Sequence, residues 1–129
     1  VKFSMAEEPF KEWLAKAEED FEAAKDISRR KKKPLPNIIC FHSQQSVEKY
    51  LKAYLTKKKI RFPKTHDLVA LKNLCLNTDT SFELLHTDVV QLDRYSVTFR
   101  YPGEEATQRQ AKAAFTCAKN ICDFIKEKI

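Results

Sequence analysis

Glycine is nearly absent from this chain: Gly103 is the one glycine in 129 residues. Tight hairpins, glycine-rich phosphate loops and dinucleotide-binding fingerprints all need glycine, for positive φ or for close backbone approach. The scarcity argues against a β-rich fold, a P-loop and a Rossmann-type site. Long apolar runs are missing too. No stretch of about eighteen apolar residues occurs, so nothing reads as a membrane span. The opening VKFSMAEEPF carries acids where a signal peptide needs an apolar segment, and a cytoplasmic location is expected. Cys40, Cys75, Cys117 and Cys122 form no CxxC pair and fit no zinc spacing. They are expected to be reduced core residues, with no metal site and no cofactor. There is no internal repeat, no dividing linker, no acidic tail and no basic arm, so one domain over 1–129 is expected.

What remains is a chain 43% hydrophobic, with 24 basic and 18 acidic residues and a net charge of +6. That charge permits attraction to nucleic acid or nucleotide phosphates without requiring it.

The stretch 37–59, NIICFHSQQSVEKYLKAYLTKKK, organises the rest. Ile39, Cys40, Val47, Tyr50, Leu51, Tyr54 and Leu55 recur at helical spacing. Pro36 and Asn37 mark a start, and Lys57, Lys58 and Lys59 sit where a helix C-terminus favours cations. A second face carries His42, Gln45, Lys49 and Lys52 in one polar row.

Before it, Ser4 and Glu7 resemble a capping box, and Pro9 is tolerated near a helix start. A first helix to about Arg30 carries Phe10, Trp13, Leu14, Ala17, Phe21, Ala24 and Ile27 as its core stripe. The basic run Arg29 to Lys33 ends in Pro34-Leu-Pro36; it reads as a solvated helix end or as a phosphate-binding patch. After the organising helix, Pro63 breaks the chain, and Thr65 or Asp67 can cap a short helix over 68–76. A polar turn over 77–81 precedes a fourth helix, expected over 82–99, with Leu85, Val89, Leu92 and Tyr95 inward. Arg100-Tyr-Pro-Gly103 stops it. A last helix, about 104–128, buries Ala111, Ala114, Phe115, Ala118, Ile121, Cys122 and Ile125.

The expected fold is all-α: an antiparallel up-and-down four-helix bundle with one short connector helix. The Arg100 turn is then expected at the same end as Arg29–Lys33 and His42. The second basic cluster, Lys57 to Lys64 with His66, is expected at the far end.

Four segments carry a resemblance: Trp13-Leu-x-Lys-Ala-Glu-x-Asp20, Phe41-His-x-Gln-Gln-x-Val-Glu-Lys-x-Leu-Lys-Ala53, Pro63-Lys-Thr-His-Asp-Leu68 and Arg100-Tyr-Pro102. Together, and in this order, they resemble the HEPN domain family. The resemblance implies a helical bundle that is usually a homodimer and that partners a minimal nucleotidyltransferase, often as a toxin–antitoxin-like two-gene pair. Some members are ribonucleases, marked by Arg, four to six residues, then His. Others are described as nucleotide- or substrate-binding modules. Here no His follows Arg94 or Arg100 at that spacing. Arg61-Phe-Pro-Lys-Thr-His66 satisfies the string but lies in the connector.

The candidate ligand-binding residues are therefore His42, Gln45 and Lys49 on the polar row, with Tyr95, Arg100 and Tyr101 as a stacking and phosphate-holding group. Arg61, Lys64, His66 and Arg94 form a weaker set. Each has a plainer reading: His42 and His66 as structural histidines, Tyr95, Arg100 and Tyr101 as core or dimer contacts. Glu48 is expected to pair with Lys52 or with a neighbouring helix. His86 lacks a second ligand at metal spacing. The expected function is a non-catalytic module binding nucleotide or RNA; the alternative is a metal-independent ribonuclease with a non-standard site.

Overall fold

The computed structural model describes residues 8–96 and 101–129. Among them are five α-helices and no strand: α1 (Pro9–Ser28), α2 (Pro36–Lys57), α3 (Leu68–Leu76), α4 (His86–Asp93) and α5 (Gln108–Lys126). Two tight 3-10 segments, Thr80–Leu85 and Arg94–Ser96, flank α4. The Ser4–Glu7 capping box lies outside the described residues.

Side-chain pairs fix the helix directions. Asp20 of α1 meets His42 and Lys49 of α2, while Phe10 lies under Lys57. Positions fall on α1 as they rise on α2, so the two are antiparallel. Asn37, Ser46 and Lys57 of α2 meet Ala106, Cys122 and Ile129 in turn, so α2 and α5 run parallel. Phe82 touches Phe124 and Asp88 touches Cys117, which sets the Thr80–Leu85 segment and α4 antiparallel to α5. The sense is up, down, up, down, with α3 as the crossover. Val47, Leu51 and Leu55 of α2 are fully buried, each stabilising the fold by about 1.5–3 kcal/mol. Ala17 and Ala24, also fully buried, let α1 lie close to the rest of the bundle.

Local chemistry sets the ends. Pro36 opens α2, and its neighbour Asn37 does not cap it; Asn37 Oδ1 accepts from Ala106 N at 2.7 Å. That bond brings the chain after Gly103 to the start of α2, the end expected for it. Lys59 takes the left-handed φ of 60° that glycine usually occupies. Ile60 N then donates to Leu55 O and Lys59 N to Thr56 O, closing α2 with a Schellman motif. Asp67 caps α3 by accepting from Ala70 N at 3.0 Å.

Three expectations need correction. The helix expected over 82–99 is divided, because Phe82 and Leu85 are buried three residues apart, which a 3-10 turn aligns, before Val89 resumes α-helical spacing. Its last part, 97–99, lies outside the described residues. The last helix starts at Gln108 rather than near Glu104, because Thr107 and Gln110 form a reciprocal capping box. His66 is not at the far end. The connector doubles back along α2, so His66 lies level with Gln44 and Glu48.

Candidate functional site

The polar row of α2 faces α1 and the connector. Asp20, on α1, accepts from Lys49 Nζ at 2.6 Å and sits 2.8 Å from His42 Nδ1. Gln45 donates to its neighbour Gln44 at 2.8 Å. One turn further, Lys52 Nζ donates to Glu48 at 2.9 Å and lies 5.3 Å from the centre of the Trp13 ring and 5.9 Å from that of Phe62. Glu48 also holds His66, whose Nδ1 is 3.0 Å from Oε1. The His66 side chain is 75% exposed while that of Glu48 is 4% exposed. A buried carboxylate thus orients a solvent-facing imidazole.

The second candidate group does not assemble as one surface. Tyr95 is a core residue, 3% exposed, with burial raising its hydroxyl pKa above the ordinary value. It cannot stack on a base without opening the bundle. Tyr101 is the reverse, 70% exposed. Arg100 lies outside the described residues. Arg61 and Lys64 stand exposed on the connector, and Arg94 is exposed at the end of α4.

The four cysteines are free and buried. Burial pushes the thiols of Cys75, Cys117 and Cys122 up to about 12 and that of Cys40 to about 11. None is poised as a nucleophile. Among the described residues no group of three or more His, Cys, Asp or Glu could hold a metal ion.

A cavity of about 550 Å³ opens where α1 ends and α2 and α5 begin. Its apolar side comes from Ile27, Ile39 and Phe115, and its cations are Arg30, Arg109 and Lys112. Phe115 stacks on Phe21, ring centres 5.3 Å apart. None of the three cations has an ion pair or a side-chain hydrogen bond among the described residues, whereas Lys49, Lys52, Lys72 and Lys128 are all paired. The neighbouring run Arg29 to Lys33 is exposed throughout. The dipole of α1 accounts for cations at its C-terminus. It does not account for Arg109 and Lys112, which sit at the start of a helix with no acid in its first turn. Sequence reading passed over both. The signal was present in two cations three apart, one within and one just after Thr107-x-x-Gln110, once the helix start is placed correctly.

The profile of the HEPN domain matches residues 10–129. The chain belongs to the HEPN domain family. Two solved structures share its fold. ST0689, an archaeal HEPN homologue, is 23% identical, with 92% of this chain and 96% of that one covered and a TM-score of 0.71. TT1696 from Thermus thermophilus is 22% identical, with 95% and 99% covered and a TM-score of 0.74. Among curated proteins none matches. In this HEPN domain three of the four segments are wired together: Asp20 of the first meets His42 and Lys49 of the second, and Glu48 of the second meets His66 of the third. No described helix of the HEPN domain is long and apolar enough to cross a membrane.

Proposed function

We propose that this HEPN domain is a non-catalytic, homodimeric binding module for a nucleotide or RNA, serving a minimal nucleotidyltransferase in a toxin–antitoxin-like pair. One observation carries the binding half: three cations with no partner among the described residues ring an apolar cavity at the end of the bundle where two helix N-termini also point. Cations attract phosphate; Phe115 and its aliphatic neighbours offer a surface for a base. The three histidines, His42, His66 and His86, all precede Arg94, so none of Arg94, Arg100 and Arg109 is followed by a His. That supports the non-catalytic reading. Leu35, Ile38 and Phe41, large and exposed along the start of α2, supply an apolar seam for a second copy.

The test is titration of the purified protein with AMP and with labelled RNA. Lys112→Ala should weaken both at least tenfold, and added salt should weaken the RNA complex. Lys126→Ala, at the other end of α5, should leave both unchanged. Equal binding by Lys112→Ala and the parent chain would remove the cavity from consideration. Co-purification with a nucleotidyltransferase tests the partner.

A second reading has an observation of its own. Glu48 holds His66 Nδ1, and nothing among the described residues hydrogen-bonds its Nε2. A histidine so oriented can exchange a proton with a ribose hydroxyl. RNA cleavage lost on His66→Ala, with helicity retained, would favour a metal-independent ribonuclease.

A further inference from the structure

A second, shallower basin of about 360 Å³ lies beside the cavity. It is lined by Gln91 and Ala113 as well as by Arg109, Lys112 and Thr116, and these last three also line the cavity. Positions 109, 112 and 116 follow i, i+3, i+7 spacing, so they form one ridge along the outer face of α5. The cavity lies on the α1 side of that ridge, against Ile27 and Arg30. The basin lies on the α4 side, against Gln91. Two hollows therefore flank a crest that carries one hydroxyl and two cations with no partner among the described residues.

We propose that a single-stranded oligonucleotide crosses α5 at this crest, one dinucleotide step straddling it. The phosphodiester rests on Arg109 and Lys112. One base enters the cavity, where Ile39 and Phe115 supply an apolar wall. The next base turns the other way into the basin, where the Gln91 amide and the Thr116 hydroxyl can meet its polar edge. Splayed neighbouring bases are a common mode of single-strand recognition, because unstacked bases expose both face and edge. An α-helix with its side chains is about 10–12 Å across, a span that two nucleotides with bases turned apart can bridge. A ligand of one base fills one hollow and leaves the other empty. The inference rests on the cavity being a nucleotide site, as proposed above, and adds which ligand class fills both hollows.

The experiment compares ApA with AMP by calorimetric titration of the full chain. AMP carries more negative charge, so an advantage for ApA cannot come from electrostatics alone. ApA is expected to bind at least tenfold tighter than AMP. The double variant Arg109→Ala/Lys112→Ala should lose at least tenfold for both ligands. Ala113→Trp fills the basin and leaves the cavity intact; it should reduce ApA to the level of AMP while AMP binding holds. Ala113→Leu, neutral and smaller, serves the same purpose if Ala113→Trp loses helicity by circular dichroism. Equal binding of AMP and ApA by the parent chain overturns the straddling mode but leaves the cavity as a nucleotide site. An ApA advantage that survives a folded Ala113 variant overturns it too. Absence of binding by either ligand overturns both this inference and the nucleotide reading beneath it.

Discussion

Glu48 and Lys52 form a 2.9 Å ion pair from which solvent is almost wholly excluded, their side chains 4% and 6% exposed. The ammonium lies near the faces of Trp13 and Phe62, and the carboxylate takes a further contact from His66. The pair therefore joins α2 to α1 and to the returning connector. Such a pair is weak evidence of net stabilisation, since desolvating two charges offsets much of their attraction. Removing one partner is another matter.

Glu48→Gln should leave the Lys52 charge buried without its counter-charge and destabilise the fold by about 3 kcal/mol or more. Glu48→Leu combined with Lys52→Met should lie within about 1 kcal/mol of the parent chain, because neither charge is then stranded. Urea unfolding of the single and double variants measures both. A single substitution costing under about 0.5 kcal/mol would show that water reaches the pair.

Lys59 occupies left-handed backbone, φ 60°, at the close of α2. A side chain there is strained, with a cost on the order of 1 kcal/mol. Glycine removes the strain but adds freedom to the unfolded chain, so the net gain is smaller than the strain itself. Lys59→Gly is expected to stabilise by about 0.5–1 kcal/mol, and Lys59→Val to destabilise by about 1 kcal/mol or more. Thermal melts of both variants give the signs. A destabilised Lys59→Gly would mean that the Lys59 side chain contributes more than its backbone costs.

What was legible from sequence was whatever local chemistry decides. Pro36 and Asn37 marked the start of α2, and Thr65 or Asp67 that of α3, where Asp67 takes the cap, because a start needs only the residue that makes it. The i, i+4 pair of Glu48 and Lys52 is also local and was one of the two pairings expected for Glu48. The breaks around α4 were not, because Leu84, 80% exposed, and Val90 give that stretch apolar residues on both sides and hide the switch to 3-10 spacing. Nor was the return of the connector, which depends on Glu48 reaching His66 and on Asp93 accepting from Leu68 N at 2.8 Å. Those bonds span 18 and 25 residues and no window on the sequence contains them. The end cavity was half visible. Arg29 to Lys33 is a run; Arg109 and Lys112 join it only when α5 is laid beside α1.

Asp79 ties the turn after α3 to the end of α5. Hydrogen bonds from the side chains of Ser81 and Lys128, then from Ser81 N, hold its carboxyl down to about 2 from an ordinary 3.8. The unfolded chain takes up the proton first as pH falls. The contribution of Asp79 is therefore fully present above about pH 4 and fades as pH falls from there towards 2. Asp79→Asn cannot titrate and should lower the melting temperature at pH 6, with the difference from the parent chain shrinking on acidification through that window. A difference that stays constant between pH 6 and pH 2 would assign the effect to packing.

Phe41 is 46% exposed on α2, one turn after Ile38, which is 39% exposed; Leu35, the residue that precedes the helix, is 38% exposed. The connector covers the later turns of α2, where Phe62 and His66 lie over Lys52 and Glu48, and leaves these earlier turns open. Three large apolar side chains exposed around the start of α2 are costly to keep in water, and a second copy offers the same patch for mutual burial. Phe41→Asp would set like charges against each other across such a seam. Light scattering behind a sizing column is expected to show a dimer for the parent chain and a monomer for Phe41→Asp, with helicity unchanged, since Phe41 takes no part in the core. A dimer that survives Phe41→Asp would move the seam elsewhere. A parent chain that is monomeric at every concentration tested would remove the homodimer from the proposal and leave the end cavity to act alone.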